Sequence, residues 1–238
     1  MAERSAEPMA QPSAESFADG ANMKDNLQKL NIDDWVVQVR EPAGKGPFPV
    51  ILMVHGWTGD ENSMWVFAAR LPKDYLLIAP RGIHPTPRGG YGWHPRNEQG
   101  EAWVDDFRPA IEALLELLTP DRFPKANFSQ LRLVGFSQGA ALTYTFAFLY
   151  PGQVISLAGL AGFMPEGASA LARNKPLKEK PVFVAHGTKD DQVPIERGRQ
   201  AVEILELAGA QVVYCEDEVG HKLSAACFRG LQTFFAKS

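Results

Sequence analysis

The sequence predicts an α/β fold, with a mostly parallel central sheet, helices on both faces and no separate cap domain. Two observations carry this expectation. Short, continuous apolar runs recur at residues 50–54, 75–79, 131–134, 154–158, 182–185 and 211–215. Runs without polar alternation fit strands that are covered on both faces. Between them lie helical patterns. Phe107, Ile111, Leu114, Leu115 and Leu118 fall on one face of a helix. Strands that alternate with helices, with no internal repeat, build a parallel sheet.

Each element follows from local signals. Residues 1–30, rich in Ala, Ser, Glu and Pro, read as a weakly structured tail, and residues 31–238 as a catalytic domain. Ordered chain is expected from near Asp34, with Trp35–Arg40 as an outer strand and a Gly/Pro turn at 43–47. Pro109 either begins the helix around Ile111 or bends it, and Thr119-Pro120 stops it. Pro194 suits the first turn of a later helix and Gly209 its end. A final helix is expected over 224–235.

Composition narrows the function classes. The 238 residues are 45% hydrophobic and 22% charged, with a net charge of −4 and no run of Lys or Arg. That argues against nucleic acid or an anionic membrane as partner. No stretch approaches the roughly 18 apolar residues that span a bilayer. The N-terminus has no apolar h-region, so a cytoplasmic location is expected, without integral membrane association. The two cysteines, Cys215 and Cys227, are expected to be free buried thiols. No CxxC pair suggests a metal.

In a parallel sheet, ligands bind at the carboxyl ends of the strands. One run ends in Gly135-Phe136-Ser137-Gln138-Gly139. Chance supplies this G-x-S-x-G pattern about one time in ten in a chain of this length, so its strand–turn–helix context carries the weight. A sharp turn here exposes Ser137 above the sheet. An alcohol needs a base to become a nucleophile. Of the five histidines only His186 and His221 follow Ser137, and His221 lies in a loop between the last strand and the last helix. The acid belongs after the strand that ends at His186, where Asp190 is the choice and Asp191 the reserve. The backbone N–H groups of Gln138 and of Trp57, in His55-Gly56-Trp57-Thr58-Gly59-Asp60, are the expected oxyanion donors. His55 is expected to organise that loop. Residues 81–99 form a long glycine-rich segment on the same side, and Trp57, Trp93, Phe163 and Met164 are expected to wall a substrate site.

These motifs together resemble the phospholipase/carboxylesterase branch of the α/β-hydrolases, which includes acyl-protein thioesterases and small bacterial carboxylesterases. The resemblance is carried by 55–60, Ala79-Pro80-Arg81-Gly82, Gly135 to Leu142, Ala161-Gly162-Phe163-Met164-Pro165, His186 to Pro194 and Gly220-His221, and spans residues 48–236. It implies a triad of Ser137, Asp190 and His221, oxyanion donors at Trp57 and Gln138, and no cofactor. It also implies hydrolysis of esters or thioesters of small to medium acyl groups, or of lysophospholipids. Ala140 stands where acyl-protein thioesterases usually carry Gly, and Trp57 is bulkier than the usual residue there. The expected partner is a small-molecule ester or thioester, on a monomer or homodimer. The alternatives are a dienelactone-type lactone hydrolase, a peptidase, or a non-catalytic binding protein on the same fold. The first commonly uses Cys where this chain has Ser137, the second a further domain, and the third usually lacks a triad member.

Overall fold

A computed structural model describes residues 27–95 and 102–237. The chain begins with β1 (Leu27–Ile32), β2 (Trp35–Arg40) and β3 (Phe48–Val54), followed by the short helix α1 (Trp65–Ala68) and β4 (Leu76–Pro80). A small hairpin, β5 (His84–Pro85) and β6 (Tyr91–Gly92), precedes α2 (Val104–Leu117). Next come β7 (Ala126–Phe136), α3 (Gln138–Leu149), β8 (Val154–Leu160), α4 (Ala168–Ala172) and β9 (Pro181–Gly187). The chain ends with α5 (Ile195–Leu207), β10 (Gln211–Asp217) and α6 (Ala225–Lys237).

Eight strands form one sheet in the order β1-β2-β4-β3-β7-β8-β9-β10. Pairing is parallel from β4 to β10 and antiparallel for β1 with β2 and β2 with β4. The apolar runs are explained by what covers them. In β3, Val50, Leu52 and Val54 pack into a core shared with α2, α3 and α5, while Ile51 and Met53 pack into a second core with α1 and α6. Both faces are dry, so neither alternating set of side chains is polar. α3 is the most central helix and is buried from Gln138 to Phe148.

Three expectations are corrected. Residues 27–30, expected to belong to the weakly structured tail, are part of a strand, because β1 pairs along the whole length of β2. The remainder of that tail, residues 1–26, lies outside the described residues. Of the two alternatives at Pro109, a start and a bend, the structure rules out the start. The helix starts at Val104, and the Asp106 carboxylate accepts the Trp103 N–H at 2.7 Å at its entry. Pro109 therefore sits in the second turn, where its ring removes one helical donor. The segment at 81–99 is also not structureless, since it contains the β5–β6 hairpin, and residues 96–99 lie outside the described residues.

The sheet and α3 approach closely at Gly159. A Cβ there would overlap the ring and hydroxyl of Tyr144. Gly159→Ala is expected to cost about 1–3 kcal/mol through overpacking. A urea titration reads this, and an unchanged midpoint would contradict the packing described.

Candidate active site

The site is built at the carboxyl ends of β3, β7, β9 and β10. Between β7 and α3 the chain reverses within a single residue. Ser137 sits at φ 54°, ψ −119°, a conformation that L-residues rarely adopt. The reversal is held by its own N–H, which donates to the Leu160 carbonyl at 2.9 Å, and by the first turn of α3 lying against the end of β3. Gly139 makes that approach possible, because a Cβ there would overlap the carbonyl of Val54. Gln138 opens α3, so its N–H belongs to the group that a helix leaves without an internal partner.

His221 lies in the loop between β10 and α6. Its Nδ1–H donates to Asp190 Oδ2 at 2.7 Å, which leaves Nε2 for other chemistry. Its ring tilts against Phe136, 4.8 Å between centroids. Asp190 is buried, and its other oxygen accepts the backbone N–H groups of Gln192 and Val193, each at 2.9 Å. Asp191 is exposed, and the carboxylate that His221 meets is that of Asp190. His186, which closes β9, is buried and donates from Nε2 to the Val193 carbonyl at 2.8 Å, bracing the acid-bearing turn. The two loops are stitched together by the Thr188 N–H to Asp217 carbonyl bond and the Lys189 N–H to Val219 carbonyl bond.

Two clefts open here. The first, of about 400 Å³, is lined by Ser137, His221, Trp57, Gln138 and Phe163, with Arg88, His94 and Arg197 also on its walls. The second, of about 540 Å³, is mainly apolar, with Met64, Val66, Phe67, Leu223 and Phe228, and has Lys222 on its wall. Gly56, Trp57, Thr58, Phe136 and His221 border both. Of the expected wall residues, Trp57 and Phe163 therefore line a cleft. Trp93 and Met164 do not. Both are buried in the core, and the Trp93 indole N–H donates to the His55 carbonyl at 2.8 Å. An aromatic side chain in a glycine-rich loop can turn inward as readily as outward, and here the Trp93 ring is fully buried, 5.0 Å from the His55 ring.

Three supports leave no local mark in the sequence. The Gln138 side chain accepts the Trp93 N–H at 2.9 Å, tying the nucleophile turn to the segment after β6. Buried Glu61 is clasped by Arg81 at 2.8 and 3.0 Å and by Lys29 at 2.7 Å, and Arg81 in turn lies over the Tyr91 ring. The third support is the bridge between Cys215 and Cys227, which corrects the expectation of free thiols. β10 and α6 are neighbours in the chain and in space, and the two Cα atoms lie 5.7 Å apart, within the span that a disulfide bridges. The covalent ring encloses His221. Among the described residues, no group of three or more His, Cys, Asp or Glu side chains is gathered to hold a metal ion. Among the same residues, no helix is long and apolar enough to cross a membrane.

A reversed serine between a parallel strand and a buried helix, with a histidine–carboxylate pair at the neighbouring strand ends, defines a serine hydrolase of the α/β type. The chain belongs to the phospholipase/carboxylesterase family, whose model matches residues 36–238. An acyl-protein thioesterase 1 from Kluyveromyces lactis is 29% identical over 66% of this chain and 76% of its own length. A probable carboxylesterase from Arabidopsis thaliana is 33% identical over 68% of this chain and 62% of its own. A Bacillus cereus carboxylesterase structure superposes with a TM-score of 0.76 at 21% identity, covering 86% of this chain and 95% of that one. One from Mesorhizobium loti gives 0.74 at 18% identity, covering 90% and 100%. Like its family, the chain is an ester- or thioester-cleaving hydrolase.

Two expected outcomes follow from these supports. Replacing both Cys215 and Cys227 with Ser releases a ring of 13 residues. The loss should be about 3 kcal/mol of stability, by the entropy of closing such a ring. Turnover should fall as well, because His221 is inside the ring. Melting and turnover of the wild type with and without dithiothreitol should show the same pair of losses.

The second concerns pH. Burial holds His55 below its ordinary value of 6.5, and its Nε2 must stay unprotonated to accept the Gly82 N–H at 2.8 Å. The unfolded chain then binds a proton that the folded one refuses. The stability His55 contributes is present above about 6.5 and declines as pH falls below it. The Arg81 bond holds Glu61 down at about 2 from 4.5, so its contribution is present above 4.5 and is lost as pH falls toward 2. Urea midpoints measured from pH 8 to 3 should therefore drop in two stages. A midpoint that stays flat through both would contradict these assignments.

Proposed function

We propose that Ser137, His221 and Asp190 hydrolyse carboxylic esters or thioesters of small to medium acyl groups through an acyl-enzyme. The observation that carries this reading is the Nδ1 to Asp190 bond of His221 at the edge of the cleft that Ser137 lines. With Nδ1–H committed to the carboxylate, Nε2 is the nitrogen that takes the Ser137 proton as the hydroxyl attacks the carbonyl carbon. Asp190 keeps the imidazole in that tautomer and stabilises it once charged. The carbonyl oxygen becomes an oxyanion, which the N–H groups of Trp57 and Gln138 bind, aided by the positive end of α3. The tetrahedral intermediate collapses as His221 returns its proton to the leaving alcohol or thiol. Water, deprotonated by His221, then attacks the acyl-enzyme, and the acid is released with Ser137 restored.

Trp57 and Phe163 support this reading as substrate contacts, since each lines a cleft at the serine. Residues 27–238 act as one catalytic domain in this scheme. The Cys215–Cys227 bridge suits an oxidising compartment better than the cytoplasm.

Ser137→Ala should lower turnover of p-nitrophenyl butyrate by at least about a thousandfold. The circular dichroism spectrum should be unchanged. A fluorophosphonate probe should label the wild type and not the variant. Retained turnover or retained labelling would remove Ser137 from its role.

A further inference from the structure

The first cleft carries a charge pattern that ester cleavage alone does not require. Arg88 and Arg197 both line it, and no Asp or Glu is among its described lining residues. The chain as a whole carries a net charge of −4, so this positive wall is local. Elsewhere Arg81, Arg108, Arg122 and Arg199 each hold a carboxylate. Among the described residues neither Arg88 nor Arg197 has an acidic partner.

Arg197 is also held in place. Its guanidinium stacks over the Phe163 ring, 5.3 Å from the centroid, and Phe163 lines the same cleft. Its Nε is buried and meets no acceptor among the described protein groups. It belongs to the first turn of α5, where the positive end of a 13-residue helix adds to its field. A stacked, pre-oriented fork is suited to a planar or tetrahedral oxyanion. The neighbouring second cleft is walled instead by Met64, Phe67, Leu223 and Phe228.

We infer that the first cleft is an anion subsite, in which Arg88 and Arg197 take a carboxylate or phosphate carried by the substrate near its scissile bond. The apolar cleft takes an alkyl arm. The substrate class is therefore an amphipathic ester or thioester, anionic on one side of the carbonyl and aliphatic on the other. This rests on the esterase reading above.

Matched substrate pairs test it. Mono-p-nitrophenyl adipate against its methyl ester places the anion on the acyl side. The hexanoyl ester of 4-hydroxybenzoate against that of methyl 4-hydroxybenzoate places it on the leaving side. The hexanoyl ester of 4-hydroxyphenyl phosphate, against the same neutral ester, replaces carboxylate by phosphate there. The readout is the ratio of kcat/KM for the anionic member to that for the neutral one. In Arg88→Gln/Arg197→Gln the ratio should fall about tenfold or more for at least one pair, because charge-assisted bonds to the anion are lost. The pair that responds names the side and the kind of anion. Arg88→Gln alone, at an exposed side chain, should lower the same ratio with the packing of Phe163 untouched. Ratios within twofold of the wild type for every pair would overturn the subsite. If the wild type cleaves none of these esters and takes no fluorophosphonate label, the esterase reading fails instead.

Discussion

The reversal of the chain at Ser137 is the constraint on which the rest of the site depends. A strand in the middle of an eight-stranded sheet must hand over to a buried helix with no room for a loop. The backbone accepts a strained angle at Ser137, and the surrounding contacts make that angle the cheapest solution available. Gly139 lets α3 rest on the end of β3, and the Leu160 carbonyl fixes the serine N–H. Once α3 is seated, the position of Gln138 is fixed, its side chain holds the Trp93 backbone, and Trp93 in turn holds His55. The strained residue is thus the first link of a chain of buried polar contacts reaching two other loops.

Three buried groups behind the site, His55, Glu61 and Asp190, have their partners in place. His55 gives one nitrogen to a carbonyl and the other to an N–H. Glu61 is saturated by two cations and Asp190 by two backbone donors and an imidazole. A buried charge with every partner in place rigidifies its surroundings, whereas one left unmade costs desolvation energy. Arg88 and Arg197, which have no acidic partner among the described residues, contrast with these clasped groups.

How much of this was legible in the sequence follows from which residues report their own environment. The parallel strands were legible because dry faces on both sides force every position to be apolar. Ser137, Asp190 and His221 were legible because each follows a strand end within a short motif, and the structure brings Asp190 and His221 into contact. β1 was not, since Leu27–Ile32 is an edge strand whose exposed positions carry no pattern. Trp93 and Met164 were misread because residue type alone does not say which way a loop side chain turns. The Glu61–Arg81 clasp and the Cys215–Cys227 bridge join residues 20 and 12 positions apart, distances that only the folded sheet makes short.

The two clefts share Gly56, Trp57, Thr58, Phe136 and His221 along their border, yet differ in size and polarity. A carbonyl held above Ser137 would therefore have two unlike substituent directions and a fixed face toward the hydroxyl. Three unlike directions at a planar carbon tell its two faces apart. Attack from one face only would give a tetrahedral intermediate of a single hand.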